Sequence, residues 1–139
     1  MKRYIGTKII HAEEAFDAPG NPGYKVKYSD GYESWSPAEP FEEAYRPCDA
    51  MSFGLAIEAL KKGLKVARSG WNGKGMFLYY VPAASYPAQR NTHGTMVGVF
   101  PDDMVPYCAY IAMKTADDKV VPWLASQTDV LADDWSIVE

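Results

Sequence analysis

Apolar positions along the chain change their period, and the changes mark out its elements. Near the N-terminus, Lys8 to Ala12 reads as an extended segment, and Asp17-Ala18-Pro19-Gly20-Asn21-Pro22-Gly23 is a dense turn signal. Tyr24-Lys25-Val26-Lys27-Tyr28 then alternates apolar with polar, Ser29-Asp30-Gly31 turns, and Tyr32-Glu33-Ser34-Trp35 returns with the same alternation. Two period-two runs around Asp-Gly predict a β-hairpin. Ser36-Pro37-Ala38-Glu39 fits a helix start with Ser36 as N-cap, leading into Phe41, Ala44 and Tyr45 on one face and ending at Pro47. Residues 1–47 therefore form an expected small hairpin and short-helix module.

From residue 48 the pattern predicts a second, main domain running to residue 139. Ser52 can cap a helix whose apolar residues Phe53, Ala56, Ile57 and Leu60 fall at i, i+3, i+4 and i+7. Lys61 and Lys62 suit the negative end of its dipole, and Gly63 suits the residue just past it. Short β-forming runs follow at 65–68, 76–81, 107–114, 120–124 and 135–138, most separated by tight turns. Residues 82–106 show no regular period and are expected to be a long irregular stretch, of the kind that is functional or mobile in compact domains. Strands joined mostly by hairpins and one principal helix predict an α+β fold with a mainly antiparallel sheet.

At 139 residues the chain is long enough to bury about 70% of its unfolded surface without a staple. Its two cysteines, Cys48 and Cys108, are too few for a disulfide framework and are expected to be free and buried. The net charge of −4 argues against a nucleic-acid polymer as partner, which demands a basic face. No apolar run approaches the roughly 20 residues of a membrane span, and Met1-Lys2-Arg3-Tyr4-Ile5-Gly6 has no apolar signal core, so a cytosolic location is expected. Aromatics do change the picture. Ten Tyr, five Phe and four Trp exceed what strands alone require, so some are candidates for stacking on a planar ligand or for a subunit interface.

Two stretches carry candidate chemistry. Gly70-Trp71-Asn72-Gly73-Lys74-Gly75 can turn backbone N–H groups outward around an anion, and Lys61, Lys62, Lys65, Arg68 and Lys74 lie close by with no intervening acid. The same residues also fit a solvated hairpin turn with Trp71 packed into the core. Trp123-Leu124-Ala125-Ser126-Gln127-Thr128-Asp129 and Leu131-Ala132-Asp133-Asp134-Trp135 place donors and acceptors between tryptophans, which suits a nucleobase with ribose hydroxyls. They equally fit a short helical turn capped by Ser126. His11 and His93 match no zinc spacing with the cysteines, and no nucleophile has a base beside it, so no metal, cofactor or catalysis is expected.

Ser52-Phe53-Gly54 through Gly63, Val66-Ala67-Arg68-Ser69-Gly70-Trp71-Asn72-Gly73-Lys74-Gly75-Met76 and Pro122-Trp123…Ser126…Asp129…Leu131-Ala132-Asp133-Asp134-Trp135 together resemble the Thoeris anti-defence protein 2 family. The hairpin segment ahead of them resembles an extension on some phage-encoded members. The resemblance implies a non-enzymatic homotetrameric sponge in the cytoplasm of the infected bacterial host. Such sponges sequester cyclic ADP-ribose isomers (glycocyclic ADP-ribose), and some also hold CBASS cyclic dinucleotides at a separate site. It implies ligand contacts at Trp71, Asn72, Trp123, Ser126, Asp129 and Trp135, with Trp71 stacked on adenine and Asp129 accepting from a hydroxyl or amine. Arg68 and Lys74 are candidates for the pyrophosphate, and Arg90, Asn91, Thr92 and Thr95 for the second site. The other readings are a virion or assembly protein and an enzyme degrading the same signal.

Overall fold

The computed structural model describes residues 1–90 and 93–139. The chain divides into two compact units, Met1–Ala50 and Met51–Glu139. Among the described residues it has three α-helices and ten strands, paired antiparallel throughout, so the fold is α+β and dominated by sheet. No helix among them is long and apolar enough to cross a membrane.

In the first unit β1 (His11–Glu14), β2 (Gly23–Lys27) and β3 (Glu33–Pro37) form a three-stranded sheet in that order, and α1 (Ala38–Ala44) follows. The 24–35 hairpin forms as its alternation predicts: Lys27 lies opposite Glu33, and Val26 is buried. Asp17 closes the loop before it, accepting the Asn21 amide at 2.7 Å and the Asn21 side chain at 3.0 Å. Tyr24, Phe41 and Tyr45 stack in a ladder with centroids 4.0 and 4.9 Å apart. Ser36 does not cap the helix. Strand pairing with Tyr24 holds it extended, the N-cap position falls on Pro37 without a side-chain cap, and the Ala38 amide donates to the Pro22 carbonyl instead.

In the second unit α2 (Phe53–Lys61) begins as expected, with Ser52 Oγ accepting the Leu55 amide at 3.3 Å, and Gly63 adopts φ +85° just past its end. β4 (Lys65–Arg68) and β5 (Phe77–Val81) lead into β6 (Ala84–Pro87), β7 (Met104–Tyr107) and β8 (Tyr110–Lys114). β9 (Val120–Pro122), α3 (Gln127–Val130) and β10 (Trp135–Val138) complete the chain. The main sheet has the order β10-β4-β5-β8-β9. α2 packs on β10, β4 and β5, burying Ala56, Ala59 and Leu60 against Val66, Leu78, Met51 and Trp135. Each buried Leu or Val there stabilises the fold by roughly 1.5–3 kcal/mol.

Further expectations are corrected: the run 107–114 is not one strand, because Tyr107 ends β7 and β8 starts only at Tyr110. Residues 82–106 are not irregular throughout, because β6 and β7 pair as a separate ribbon from Ala84 opposite Tyr107 to Pro87 opposite Met104. A two-stranded ribbon leaves half its amides on outer edges, where a proline such as Pro87 or Pro106 loses nothing. Both cysteines are exposed, since Cys48 sits in the connection after Pro47 and Cys108 in the break between β7 and β8.

Candidate functional site

The two motif stretches meet at one end of the main sheet. β10 pairs with β4, Trp135 opposite Arg68, so the Ser69–Gly75 turn after β4 comes beside the chain that enters β10. Trp135 is the centre of this place. It has no exposed surface, and Phe53, Trp71 and Trp123 surround it at 5.3, 5.5 and 6.0 Å, the last two edge-on. Edge-to-face rings are a favourable arrangement of aromatic quadrupoles. Its indole N–H donates to the Asp129 carbonyl at 2.9 Å, as a buried tryptophan requires. Trp135 therefore supports Trp71 and Trp123, which are only half-buried, and offers no face of its own.

Ser126 caps α3 with a reciprocal capping box. Its Oγ accepts the Asp129 amide at 3.2 Å, and Asp129 Oδ2 accepts the Ser126 amide at 3.1 Å and its hydroxyl at 2.8 Å. The other oxygen, Oδ1, accepts Arg68 Nη1 at 2.9 Å. Arg68 Nε donates to Asp134 Oδ1, also at 2.9 Å, so the guanidinium bridges two carboxylates. Burial opposes the charge on Asp129, but hydrogen bonds from Ser126, Arg68 and Trp71 prevail and hold its carboxyl below the ordinary value. Asp134 is held down chiefly by Arg68, against burial and with help from the Gly70 amide. Arg68 is pushed up by its hydrogen bonds to the two acids, Asp134 first.

The structure thus brings Arg68, Trp71, Trp123, Ser126, Asp129 and Trp135 together. Asn72 and Lys74 lie exposed on the adjoining turn. Arg90 is elsewhere, bonded to Asp103 Oδ2 at 2.8 Å in a loop that Asp103 also closes through the Gly98 amide at 2.6 Å. Thr95 is exposed in that loop, and Asn91 and Thr92 lie outside the described residues. Sequence reasoning missed Phe53 as a wall of the tryptophan cluster and Asp134 as a partner of the turn. The only signal for Asp134 was the paired acids before Trp135. Among the described residues no three His, Cys, Asp or Glu side chains gather as metal ligands.

The profile of the Thoeris anti-defense 2-like domain matches residues 51–138, which contain this whole cluster. A protein named Thoeris anti-defense 2 from Bacillus phage SP01 is 49% identical over 88 residues, spanning 63% of this chain and 94% of that protein. With more than half its length matched, and the tryptophans, capping box and Arg68 bridge all inside the match, the chain belongs to the Thoeris anti-defense 2-like family.

Proposed function

We propose that the protein is a sponge: it binds glycocyclic ADP-ribose signals of Thoeris defence and withholds them without breaking them. Family membership supports a phage anti-defense role. The observation that carries the finer reading is the half-buried pair Trp71 and Trp123 beside Ser126 and Asp129, planar surfaces adjoining hydroxyl and carboxylate groups. In this reading Trp71 stacks on adenine, while Asn72, Trp123 and Ser126 line the site. Asp129 orders Ser126 while accepting from the ligand. Lys74 meets the pyrophosphate, since Arg68 would first have to give up two ion pairs. The sponge acts as a homotetramer in the host cytoplasm, and cyclic dinucleotides are a second ligand class, with Arg90 and Thr95 at their site.

Titration calorimetry with glycocyclic ADP-ribose, followed by chromatography of ligand released on heating, tests this. Binding with unaltered ligand recovered is expected, and Trp71→Ala should weaken it by about fivefold or more while leaving the oligomer intact. Losing one base–aromatic stack of about 1–3 kcal/mol has that size. A recovered product that differs from the input would replace the sponge with an enzyme. No heat at all would move the reading to cyclic dinucleotides or to virion assembly.

A further inference from the structure

The Ser69–Gly75 turn has the donors of an anion site, and one of the chain's own carboxylates already fills it. Asp134 Oδ2 accepts the Gly70 amide at 2.9 Å and lies 3.4 Å from Ser69 Oγ, while Oδ1 accepts Arg68 Nε at 2.9 Å. A backbone amide, a hydroxyl and a guanidinium around one carboxylate are the groups that would bind a free anion. The clasp continues along the backbone. The Asp134 carbonyl accepts the Ser69 amide at 3.1 Å, and the Trp71 amide returns to the Arg68 carbonyl at 3.2 Å. Gly70 leaves room for this approach, because a Cβ there would stand 2.9 Å from Asp134 Oδ2 and the carboxylate would have to shift. The residue after Asp134 is Trp135, whose ring meets Trp71 at 5.5 Å, so one dipeptide grips the turn by its charge and its ring together.

We propose that Asp134 is a positioning residue for the ligand site: by filling the anion nest of the turn, it fixes Trp71 where it meets the ligand. This rests on the sponge reading for its ligand, but the clasp itself does not. The nest is therefore an internal joint, and a ligand's pyrophosphate is met elsewhere on the turn.

The test is chemical rescue in the full-length protein. Asp134→Ala vacates the nest but leaves Gly70, Ser69 and Arg68 to receive a small carboxylate. Well below its melting temperature the variant should bind glycocyclic ADP-ribose roughly tenfold more weakly or worse, the loss of a charge-assisted contact. Added formate should restore affinity saturably, where chloride at equal ionic strength does not. Gly70→Ala, which keeps the charge but displaces it, should lose affinity without rescue. Parent-like affinity in folded Asp134→Ala, or lost affinity that formate leaves unchanged, would overturn the proposal. If the parent binds no such ligand, the sponge reading fails and tryptophan fluorescence still decides the clasp. Formate should return the emission of Asp134→Ala toward the parent, and should not do so once Trp71→Phe is added. An unchanged emission in Asp134→Ala overturns the clasp as well.

Discussion

Asp129 and Asp134 show how one cation can organise two segments of chain. Both carboxyls are more acidic in the fold than in the unfolded chain, so their contribution to stability is complete above the ordinary carboxylate range, near pH 4. It is lost as the pH falls through their folded values. The melting temperature should accordingly stay level from neutral pH to about pH 5 and drop below about pH 4. In Asp134→Asn part of that acid-side drop should be missing, with a melting temperature at pH 7 lower by a few degrees, since a partly buried pair at the surface is worth about 1 kcal/mol. Melting curves of the two proteins from pH 7 to pH 3 check this, and parallel acid limbs would show that the bridge does not titrate with the fold. The tryptophans of this site were legible in the sequence, because turn residues and aromatics announce themselves locally. Its ion pairs were not: 66 residues separate Arg68 from Asp134, and only the pairing of β4 with β10 brings them within reach.

Elements were legible where a period and a boundary agreed. α2 shows a stripe, a serine cap and a terminal glycine, and β10 is an aromatic and β-branched run at Trp135–Val138. Where the two disagreed, tertiary pairing decided. Ser36 has the residue type of a cap but lies in register with Tyr24, and β6 and β7 hide behind Pro87 and Pro106 because their ladder needs only one edge of each strand. α3 is the instructive case. Four residues are far too few to be helical alone, so its capping box and the Trp135 indole on the Asp129 carbonyl must hold it. Ser126→Ala removes the cap and loosens Asp129 beneath Arg68. The cost should be about 1 kcal/mol, or about 4–8 °C in the melting temperature of a unit this size. Ser126→Thr, which keeps an acceptor, should recover most of it, as thermal unfolding followed by circular dichroism can show.

On the scale of the whole molecule, the family match begins at residue 51, where the second unit begins, and 88 residues of this chain cover 94% of the phage relative. The core agrees. Among the described residues the buried cluster runs from Met51 through Leu78 to Trp135 within the second unit. The first unit has a different basis of stability: Val26 is its one deeply buried large apolar side chain. The unit's other internal contacts are the Tyr24–Phe41–Tyr45 ladder and Trp35, whose N–H is held by the Ala15 carbonyl at 2.8 Å. Gly23 lets Trp35 lie across β2, since a Cβ there would collide with its ring and with the Ser36 carbonyl. Fifty residues with so little deep burial are close to the smallest that fold unaided. Residues 51–139 should therefore unfold cooperatively when produced alone, within a few degrees of the second unit's transition in the full chain. They should also bind glycocyclic ADP-ribose within about threefold of the parent, because Arg68, Trp71, Trp123, Ser126, Asp129 and Asp134 all remain. Calorimetric melting and titration of the shortened protein measure both. Intact folding with binding lost would assign the first unit a part in the ligand site, whereas intact folding with binding kept leaves that unit free to serve a separate partner.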